Sequence, residues 1–317
     1  MVEAANRRSV CSGVRAADFF AGLGGFTEGA EQAGCDVIYA ANHWPEAVEI
    51  HSLNHKRTTH VCQDLQQADW REVPSFDLLL ASPACQGHSP ARGKERPHHD
   101  ATRSTAWAVI AALEYHLPEL AWIENVQAFV QWKLFPAWCA AVTALGYAIS
   151  PHLVDAADFG VPQNRKRVFI ALTKSKHPIQ LQLPAREPVP ASSFIDFGSG
   201  QWTSIERPGR AAATLSRIAA GRRVFGDRFV APYFGRGSGQ TGRSILRPIG
   251  TITTRDRWAV IDGDRMRMLS VAEARIAMGF PAQYRLPRQH RAAMHMLGNA
   301  VCPPVARDLI AALVAAA

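Results

Sequence analysis

The chain has 317 residues, of which 47% are hydrophobic and 20% are charged. This length allows one large core, or one core with a smaller attached module. No apolar run approaches the roughly 20 residues that cross a bilayer, and the N-terminal residues lack the apolar stretch of a signal peptide. We therefore expect a cytoplasmic protein without membrane contact.

The six cysteines are scattered along the chain and form no Cys-x-x-Cys pair. This spacing is not that of a disulfide framework, and structural zinc sites usually need closely spaced pairs of ligands. The adjacent His98 and His99 are weak evidence for a metal when taken alone. We expect neither disulfides nor a bound metal.

The formal net charge of +8 is concentrated in one segment. Residues 1–184 hold 16 basic and 18 acidic side chains, and residues 261–317 hold 7 and 4. Residues 185–260 hold 12 arginines, no lysine and 5 acids. Arginine suits the recognition of phosphate and guanine because its guanidinium group is planar and weakly hydrated. The segment therefore predicts a nucleic-acid-binding surface, with an ordinary charged face as the alternative.

The first half of the chain alternates apolar strands with helical patterns. Strands are predicted at residues 15–20, 36–41, 76–81, 120–124 and 168–172, and helices at residues 25–33, 45–54, 104–115 and 135–145. Strands separated by helices of about 10–15 residues indicate a parallel sheet with helices on both faces. The predicted fold class is α/β, with a doubly wound, mostly parallel sheet.

The pattern changes after Pro184. Residues 185–250 contain 10 of the 23 glycines and many short segments, which predicts a smaller, irregular domain rich in glycine and arginine. A helical pattern returns at Ser270, which can form a capping box with Glu273, and a last helix is predicted at residues 305–315. We therefore divide the chain into residues 1–184, 185–260 and 261–317.

Residues with ligand-binding potential follow the first two predicted strands and precede the third. Glycines in residues 18–26 (DFFAGLGGF) let the backbone turn so that helix N–H groups point at a ligand, although a plain strand–helix connection is the alternative. Trp44 follows the second strand, where this architecture usually holds a nucleotide, and it can stack on adenine or pack in the core. Asp64 can accept a hydrogen bond from an adenine amino group, or it is an ordinary loop acid.

Reactive side chains follow the next strands. Cys85 lies in the loop at residues 82–89 (SPACQGHS), and Glu124 begins the segment ENV. Because the carboxyl ends of parallel strands meet at one edge of a sheet, both residues can face one crevice. Arg165 and Arg167 in QNRKR share one face of an extended segment. A cysteine, a carboxyl group and two arginines around one crevice indicate chemistry rather than packing.

Six segments of the chain resemble motifs of the DNA cytosine-C5 methyltransferase family, in the order of the family and over nearly the whole chain. They are DFFAGLGGF, SPACQ, ENV, QNRKR, RPIGTITTRD at residues 247–256, and GNAVCPPVA at residues 298–306. The resemblance implies a Rossmann-like, S-adenosylmethionine-dependent methyltransferase fold. Residues 1–184 would then form the catalytic and cofactor-binding domain, residues 185–260 the target-recognition domain, and residues 261–317 a segment that returns to complete the catalytic domain.

The resemblance also implies a reaction and its residues. A methyl group from S-adenosylmethionine would pass to C5 of a flipped-out cytosine in a specific double-stranded DNA sequence. The Cys85 thiolate would add to C6, Glu124 would hold the N3 and N4 edge of the base, and Arg165 and Arg167 would lie beside it. The implied cofactor-binding residues are Phe20, Ala21, Gly22, Leu23, Gly24, Gly25, His43, Trp44, Asp64, Leu65, Ala84, Asn299 and Ala300. The predicted DNA-binding residues are Gln86, Ser89, Arg217, Arg222, Arg223, Arg228, Arg236, Arg243 and Thr253.

Two positions depart from the pattern of the family. Ala84 precedes Cys85 where the family usually has proline, and Pro83 stands one position earlier. His43 stands where the family commonly has an acid that accepts hydrogen bonds from the ribose hydroxyls. These changes bear on the rigidity of the loop and on cofactor affinity, but neither removes a group that the reaction requires.

Three other functions stay open from the sequence. Methylation of RNA cytosine uses the same chemistry, but the Cys-Phe-Thr signature of the subgroup that acts on transfer RNA is absent before the TITT segment. A nicotinamide-dependent reductase would explain the glycine-rich turn but not Cys85 or Glu124. A catalytically silent DNA-binding relative is the third. We expect a monomeric enzyme of a bacterium or phage, associated with the nucleoid when bound to DNA.

Overall fold

The structure is a computed structural model that describes residues 10–84, 98–233 and 242–317, and only the backbone of residues 98–103. The chain divides into two compact units. The first unit comprises Met1–Val154, Lys166–Pro184 and Pro303–Ala317, and the second unit comprises Asp155–Arg165 and Ala185–Cys302.

The first unit is built on a seven-stranded sheet. Its strands are β1 (Arg15–Phe19), β2 (Asp36–Asn42), β3 (Thr59–Cys62), β4 (Leu78–Ala81), β5 (Leu120–Asn125), β6 (Ala148–Asp155) and β7 (Lys166–Thr173). They lie in the order β3-β2-β1-β4-β5-β7-β6. The pairs β1–β2, β2–β3, β1–β4 and β4–β5 are parallel, and β5–β7 is antiparallel. The predicted mostly parallel α/β sheet is confirmed.

Helices accompany this sheet. They are α1 (Gly25–Ala33), α2 (Pro45–Asn54), α3 (His98–His116), α4 (Phe135–Ala144) and, at the end of the chain, α8 (Pro303–Ala316). All four residues of β4 and all six of β5 are buried, as expected where helices cover both faces of a parallel sheet. The indole N–H of Trp122 in β5 donates to the Leu309 carbonyl, which ties α8 to the sheet.

The order of the strands determines where a ligand can bind. β1 lies between β2 and β4, so the chain leaves β1 toward one side of the sheet first and returns to its other side later. Open α/β sheets bind ligands in the crevice outside the carboxyl ends of the strands at such a switch point. The glycine-rich segment after β1 and the residues after β4 therefore lie at the edge where a site is expected.

The second unit contains a five-stranded antiparallel sheet. Its strands are β8 (Thr203–Ser204), β9 (Arg228–Pro232), β10 (Arg243–Ser244), β11 (Trp258–Asp262) and β12 (Arg265–Met268), in the order β10-β9-β11-β12-β8. The helices are α5 (Ala212–Phe225), α6 (Val271–Ala277) and α7 (His290–Asn299). Ile218 of α5 packs with Phe229, Ile261 and Met266 in a core of its own.

The structure corrects two predictions about this unit. Residues 185–260 are not irregular, because they contain most of a small sheet and the 14-residue α5. The predicted boundary at residue 260 also falls inside β11, which pairs with both β9 and β12. A strand paired on both sides cannot be divided between two domains. Of the predicted C-terminal segment at residues 261–317, only Pro303–Ala317 belongs to the first unit.

A buried ion pair stabilises the second unit. The guanidinium of Arg267 donates to both carboxylate oxygens of Glu273 at 2.7 and 2.6 Å, and the two side chains are 4% and 5% exposed. Arg267 also donates to the Asp196 carbonyl at 2.7 Å. Glu273 and Ser270 form the capping box at the start of α6, as predicted. One carboxylate thus connects β12, α6 and the segment around Asp196.

Residues His290–Ala316 are long and apolar enough to cross a membrane by length and composition alone. Half of the apolar window is buried inside the protein, as in a core helix. The stretch is also interrupted, because α7 ends at Asn299 and α8 starts at Pro303.

We expect Glu273→Ala to lower the free energy of unfolding by about 3–5 kcal/mol, because it leaves the Arg267 guanidinium buried without its counter-charge. Asp264→Ala is the matched control, since Asp264 pairs with Arg222 while its own side chain is 97% exposed. The control should cost less than about 1 kcal/mol. Urea unfolding followed by tryptophan fluorescence measures both, and equal losses would contradict the structural role of the buried pair.

Candidate active site

The glycine-rich loop after β1 has a backbone that only a specialised turn adopts. Gly22 and Gly24 have φ of 54° and 94°, in the left-handed region that favours glycine. Phe20 also has a positive φ, 61°, which is uncommon for a residue with a side chain and is often found at ligand-binding sites. The Ala21 N–H donates to the Ala41 carbonyl at 3.1 Å, which joins this loop to the end of β2.

The start of α1 is held by a buried carboxylate. Gly24 occupies the N-cap position and has no side chain to accept from the first turn of the helix. Instead, Oδ2 of Asp18 accepts from the Thr27 N–H at 3.1 Å and from the Thr27 hydroxyl at 2.8 Å. Asp18 is fully buried, and its Oδ1 has no hydrogen-bond partner among the described residues. Burial raises the pKa of Asp18 to about 7, against the hydrogen bonds from Thr27 and the charge of His55, which lower it.

The residues after β2 and β3 lie at the same edge. Asn42 ends β2, and its Oδ1 accepts from the Trp44 N–H at 2.9 Å. Trp44 is half-buried and precedes α2, whereas His43 is exposed. After β3, Asp64 is exposed and accepts from the Gln66 N–H at 3.0 Å, so that it caps a short 3₁₀ turn. Leu65 is buried in the core.

Glu124 and Arg167 are brought together, as the predicted crevice requires. Glu124 lies in β5 with 6% of its surface exposed, and the Nε of Arg167 in β7 is 3.2 Å from its Oε1. The antiparallel pairing of β5 with β7 produces this contact, because Glu124 lies opposite Phe169, two residues after Arg167. A carboxyl group and a cation thus adjoin each other at the edge of the sheet.

Asn125, next to Glu124, connects β5 to the loop after β4. It is 1% exposed, and its Nδ2 donates to the Pro83 carbonyl at 3.1 Å. The Ala84 N–H donates to the Thr105 hydroxyl at 3.0 Å. The loop is therefore anchored up to the residue that precedes Cys85. Cys85, Gln86, Ser89 and Arg236 lie outside the described residues.

Arg165 and Arg167 have different partners, and their predicted place beside the reacting base stays a prediction. Arg165 belongs to the second unit and is 3% exposed. Its guanidinium donates to the carbonyls of Ile252, Gly298 and Ala300 at 3.0, 2.9 and 3.0 Å. The i, i+2 pattern does not place both on one face, because β7 begins only at Lys166 and the backbone of Arg165 bonds to Asp155 instead. We therefore assign Arg165 a positioning role.

Gln163 completes this arrangement. Its Oε1 accepts from the Ile252 N–H at 2.6 Å, and its Nε2 donates to the Ala277 carbonyl at 3.0 Å. Gly298 allows the end of α7 to approach this segment, because a Cβ there would lie 2.3 Å from the backbone of Thr253. Asn299 is exposed at the end of α7, and Ala300 is buried. Thr253 donates its hydroxyl to the Arg255 carbonyl at 2.9 Å.

Several arginines predicted to read DNA already have partners in the second unit. Arg217 donates to the Pro232 carbonyl, Arg222 pairs with Asp264, Arg228 pairs with Asp262, and Arg243 donates to the Asn164 side chain. Arg223 is exposed in the last turn of α5 and has no hydrogen-bond partner in the described part of the chain. These pairings make Arg223 the best placed of the described candidates, and the DNA-binding roles stay predictions.

Comparison with known proteins agrees with this geometry. The profile of the C-5 cytosine-specific DNA methylase family matches residues 14–198 and 235–315. The chain belongs to this family. It is therefore a DNA cytosine-5-methyltransferase, and enzymes of this kind use S-adenosylmethionine.

Individual relatives cover most of the chain. The Type II methyltransferase M.NlaX of Neisseria lactamica is 26% identical over 92% of this chain and 93% of its own length. The Type II methyltransferase M.HhaI of Haemophilus parahaemolyticus is 26% identical over 58% of this chain and 56% of its own. Among solved structures, the Entamoeba histolytica methyltransferase EhMeth superposes with a TM-score of 0.67 at 17% identity, over 95% of this chain and 97% of its own. That likeness shows the shared fold.

Three residues of this site were not predicted from the sequence. Asn125 lies in the quoted ENV segment and Gln163 begins QNRKR, so each could have been found by asking what holds its neighbour. Asp18 begins the glycine-rich segment, and its role depends on Thr27, nine residues later.

We expect Arg165→Met and Arg167→Met to fail in different ways. Arg165→Met removes three hydrogen bonds to buried carbonyls and should lower the free energy of unfolding by about 3 kcal/mol. Arg167→Met should lower the rate of methyl transfer about 10²-fold with a smaller loss of stability, because it removes the cation beside Glu124. Urea unfolding and single-turnover methylation measure the two effects. A stable Arg165→Met protein would contradict the positioning role.

Proposed function

We propose that the chain methylates C5 of a flipped-out cytosine in a specific sequence of double-stranded DNA, through a covalent bond between Cys85 and C6 of the base. The observation that carries the proposal is the Glu124–Arg167 contact at the end of β5, directly beside Asn125, which anchors the loop that leads to Cys85. This arrangement brings a carboxyl group and a cation to one edge of the first unit, next to the residues that precede Cys85.

The chemistry requires these three groups because C5 of cytosine is a poor nucleophile. Addition of the Cys85 thiolate to C6 gives C5 the character of an enamine carbon. Glu124 in its protonated form donates to N3 and stabilises the charge that builds on the ring. Arg167 keeps Glu124 oriented and adds positive charge to the site, which favours the thiolate. After methyl transfer, C5 loses its proton and the sulfur of Cys85 is eliminated.

The residues of the first unit fit S-adenosylmethionine, which supplies an electrophilic methyl group on a sulfonium. The loop at residues 20–24 leaves the first turn of α1 without a cap from Gly24, so backbone N–H groups are available for the carboxylate of the cofactor. The buried Asp18 carboxylate provides negative charge beneath this loop, which suits a cationic cofactor. Trp44 and Asp64 follow the neighbouring strands, where the adenosine would lie.

Access to the base requires that the cytosine leave the duplex. Extrusion costs a few kcal/mol of stacking and pairing, which protein contacts to the DNA must supply. The arginines of residues 185–260 are the proposed source, with Arg223 first among the described ones. We propose that the enzyme acts as a monomer and without a metal.

Cys85 should trap DNA that contains 5-fluorocytosine. Fluorine cannot leave C5 as a proton does, so the bond between Cys85 and C6 persists after methyl transfer. In the presence of S-adenosylmethionine, a duplex carrying 5-fluorocytosine in many sequence contexts should give a covalent complex that survives denaturing electrophoresis. Cys85→Ala should abolish the complex, and Glu124→Gln should slow its formation about 10²- to 10⁴-fold.

The controls separate the possible failures. A complex that persists in Cys85→Ala would show that another residue is the nucleophile, and no complex with the native protein would indicate a silent relative. Trapping on single-stranded RNA but not on duplex DNA would favour the RNA substrate. Bisulfite sequencing of DNA from expressing cells would then give the recognition sequence.

Arg223→Gln should weaken DNA binding and lower the salt dependence. Loss of one phosphate contact reduces the slope of log K against log salt concentration by about 1. Arg228→Gln is the matched comparison, because Arg228 is already paired with Asp262 at 2.7 Å. Its slope should change by much less. Fluorescence anisotropy at several salt concentrations measures both, and equal slopes for Arg223→Gln and the native protein would remove Arg223 from the DNA contacts.

A further inference from the structure

A chain of four polar side chains runs behind the glycine-rich loop. Asp18 accepts from the Thr27 hydroxyl at 2.8 Å, and the Thr27 Oγ1 lies 3.1 Å from Nε2 of His51. Nδ1 of His51 lies 2.8 Å from Nε2 of His60. The four residues come from β1, α1, α2 and β3 of the first unit, so the chain of contacts crosses that unit beneath its ligand edge.

The direction of these hydrogen bonds follows from the charge of the Asp18 carboxylate at one end of the series. A carboxylate only accepts, so the Thr27 hydroxyl must donate to Asp18. The Thr27 oxygen then accepts from Nε2–H of His51, whose Nδ1 accepts from Nε2–H of His60. Every donor points toward Asp18, which is the arrangement that stabilises its ionised form.

This series of hydrogen-bonded side chains adjoins the loop that we assign to the cofactor. His51 and His60 line a narrow recess. Gly22 of the loop and Asn42 at the end of β2 line it as well. A substitution at His51 therefore affects the loop in two ways. One is through the hydrogen bonds of Thr27 and Asp18, and the other is through the recess that His51 lines together with Gly22.

Other titratable groups lie on the elements that contact His51. Glu28 and Glu31 lie on α1, His55 on α2 and His60 on β3. His55 is paired with Glu31, with Nδ1 at 2.9 Å from Oε2, and its ring is 4.7 Å from that of His51. His55 thus has a carboxylate partner, whereas the hydrogen-bond neighbours of His51 are Thr27 and His60.

The protonation states of His51 and His60 agree with these hydrogen-bond directions. Burial, with contributions from His55 and His60, holds the pKa of His51 well below its usual value. Burial and His55 also lower the pKa of His60. Both rings are neutral near pH 7, so that each can donate one N–H and accept at its other nitrogen.

We propose that His51 is a positioning residue that acts through Thr27 to keep the Asp18 carboxylate ionised beneath the glycine-rich loop, and so determines the pH range in which the chain binds its cationic cofactor. The inference rests on the proposed function, because it concerns the same cofactor site. It assigns the residue at position 51 a part in cofactor binding without contact to the cofactor.

The test compares the pH dependence of S-adenosylmethionine binding in four proteins, by isothermal titration calorimetry without DNA. In the native protein the dissociation constant should rise as the pH falls through about 7, where Asp18 takes up a proton. His51→Leu removes the donor to Thr27 and should move this midpoint upward by about one pH unit. His51→Gln places an amide N–H near the position of Nε2, and its midpoint should return most of the way to the native value.

His116→Gln is the matched control. His116 is a half-buried histidine whose pKa burial also lowers, but it packs on Trp70 and Phe76 and is not part of the chain of contacts. It should keep the native midpoint. The ammonium group of the cofactor titrates identically in all four experiments, so only differences between the midpoints count.

A readout without cofactor checks the same chain of contacts. Because the folded-state pKa of His51 is depressed, its contribution to stability is present above about pH 6.5 and is lost as the pH falls through the folded value. Between pH 6.5 and 5, His51→Gln should therefore lose less stability than the native protein.

The outcomes are distinct. A native midpoint in His51→Leu would overturn the inference and leave the proposed function intact. A native protein that binds no S-adenosylmethionine at pH 8 would overturn the proposed function itself.

Discussion

The hydrogen bonds from Thr27 to the Asp18 carboxylate are the interaction on which the rest of the site depends. A helix that starts with glycine has no side chain to cap it, yet the loop before it needs glycine to turn back over the end of β1. Asp18 resolves this conflict because it reaches the helix from the strand. The loop is thus free of capping side chains, and the start of α1 still has an acceptor. A buried carboxylate is the consequence.

Buried arginines stabilise the second unit in a comparable way. Arg165 binds three carbonyls from two segments, and Arg267 binds Glu273 and a carbonyl. A planar guanidinium suits such positions because it can donate in several directions at once. Within residues 185–260, Arg217, Arg222, Arg228 and Arg243 also have partners in the second unit, so the arginines of this segment serve two purposes. Some of these side chains hold the unit together, and only the remainder is available to a phosphate backbone. Net charge alone overstates the DNA-binding surface.

Local patterns predicted the first unit well and the second poorly. The helices at residues 25–33 and 45–54 were predicted to the residue, because Gly25 and Pro45 mark their starts. The strands of the second unit are two to five residues long, and β9, β10 and β12 carry arginine, so their pattern resembles loops. The contact of Glu124 with Arg167 was not predicted, because it depends on the antiparallel pairing of β5 with β7. The partners of Arg165 were not predicted either, since they lie about 90 to 135 positions away.

The departure at His43 changes the electrostatics of the cofactor edge. Where the family commonly has an acid at the end of the second strand, this chain has an exposed histidine. Two acidic side chains follow or end the neighbouring strands: Asp64, which is exposed and caps a 3₁₀ turn, and Asp18, which is buried. A charge in a low-dielectric environment is screened less than an exposed one. The Asp18 carboxylate therefore has the greater effect on a cationic ligand. Its ionisation becomes more important because His43 supplies no negative charge.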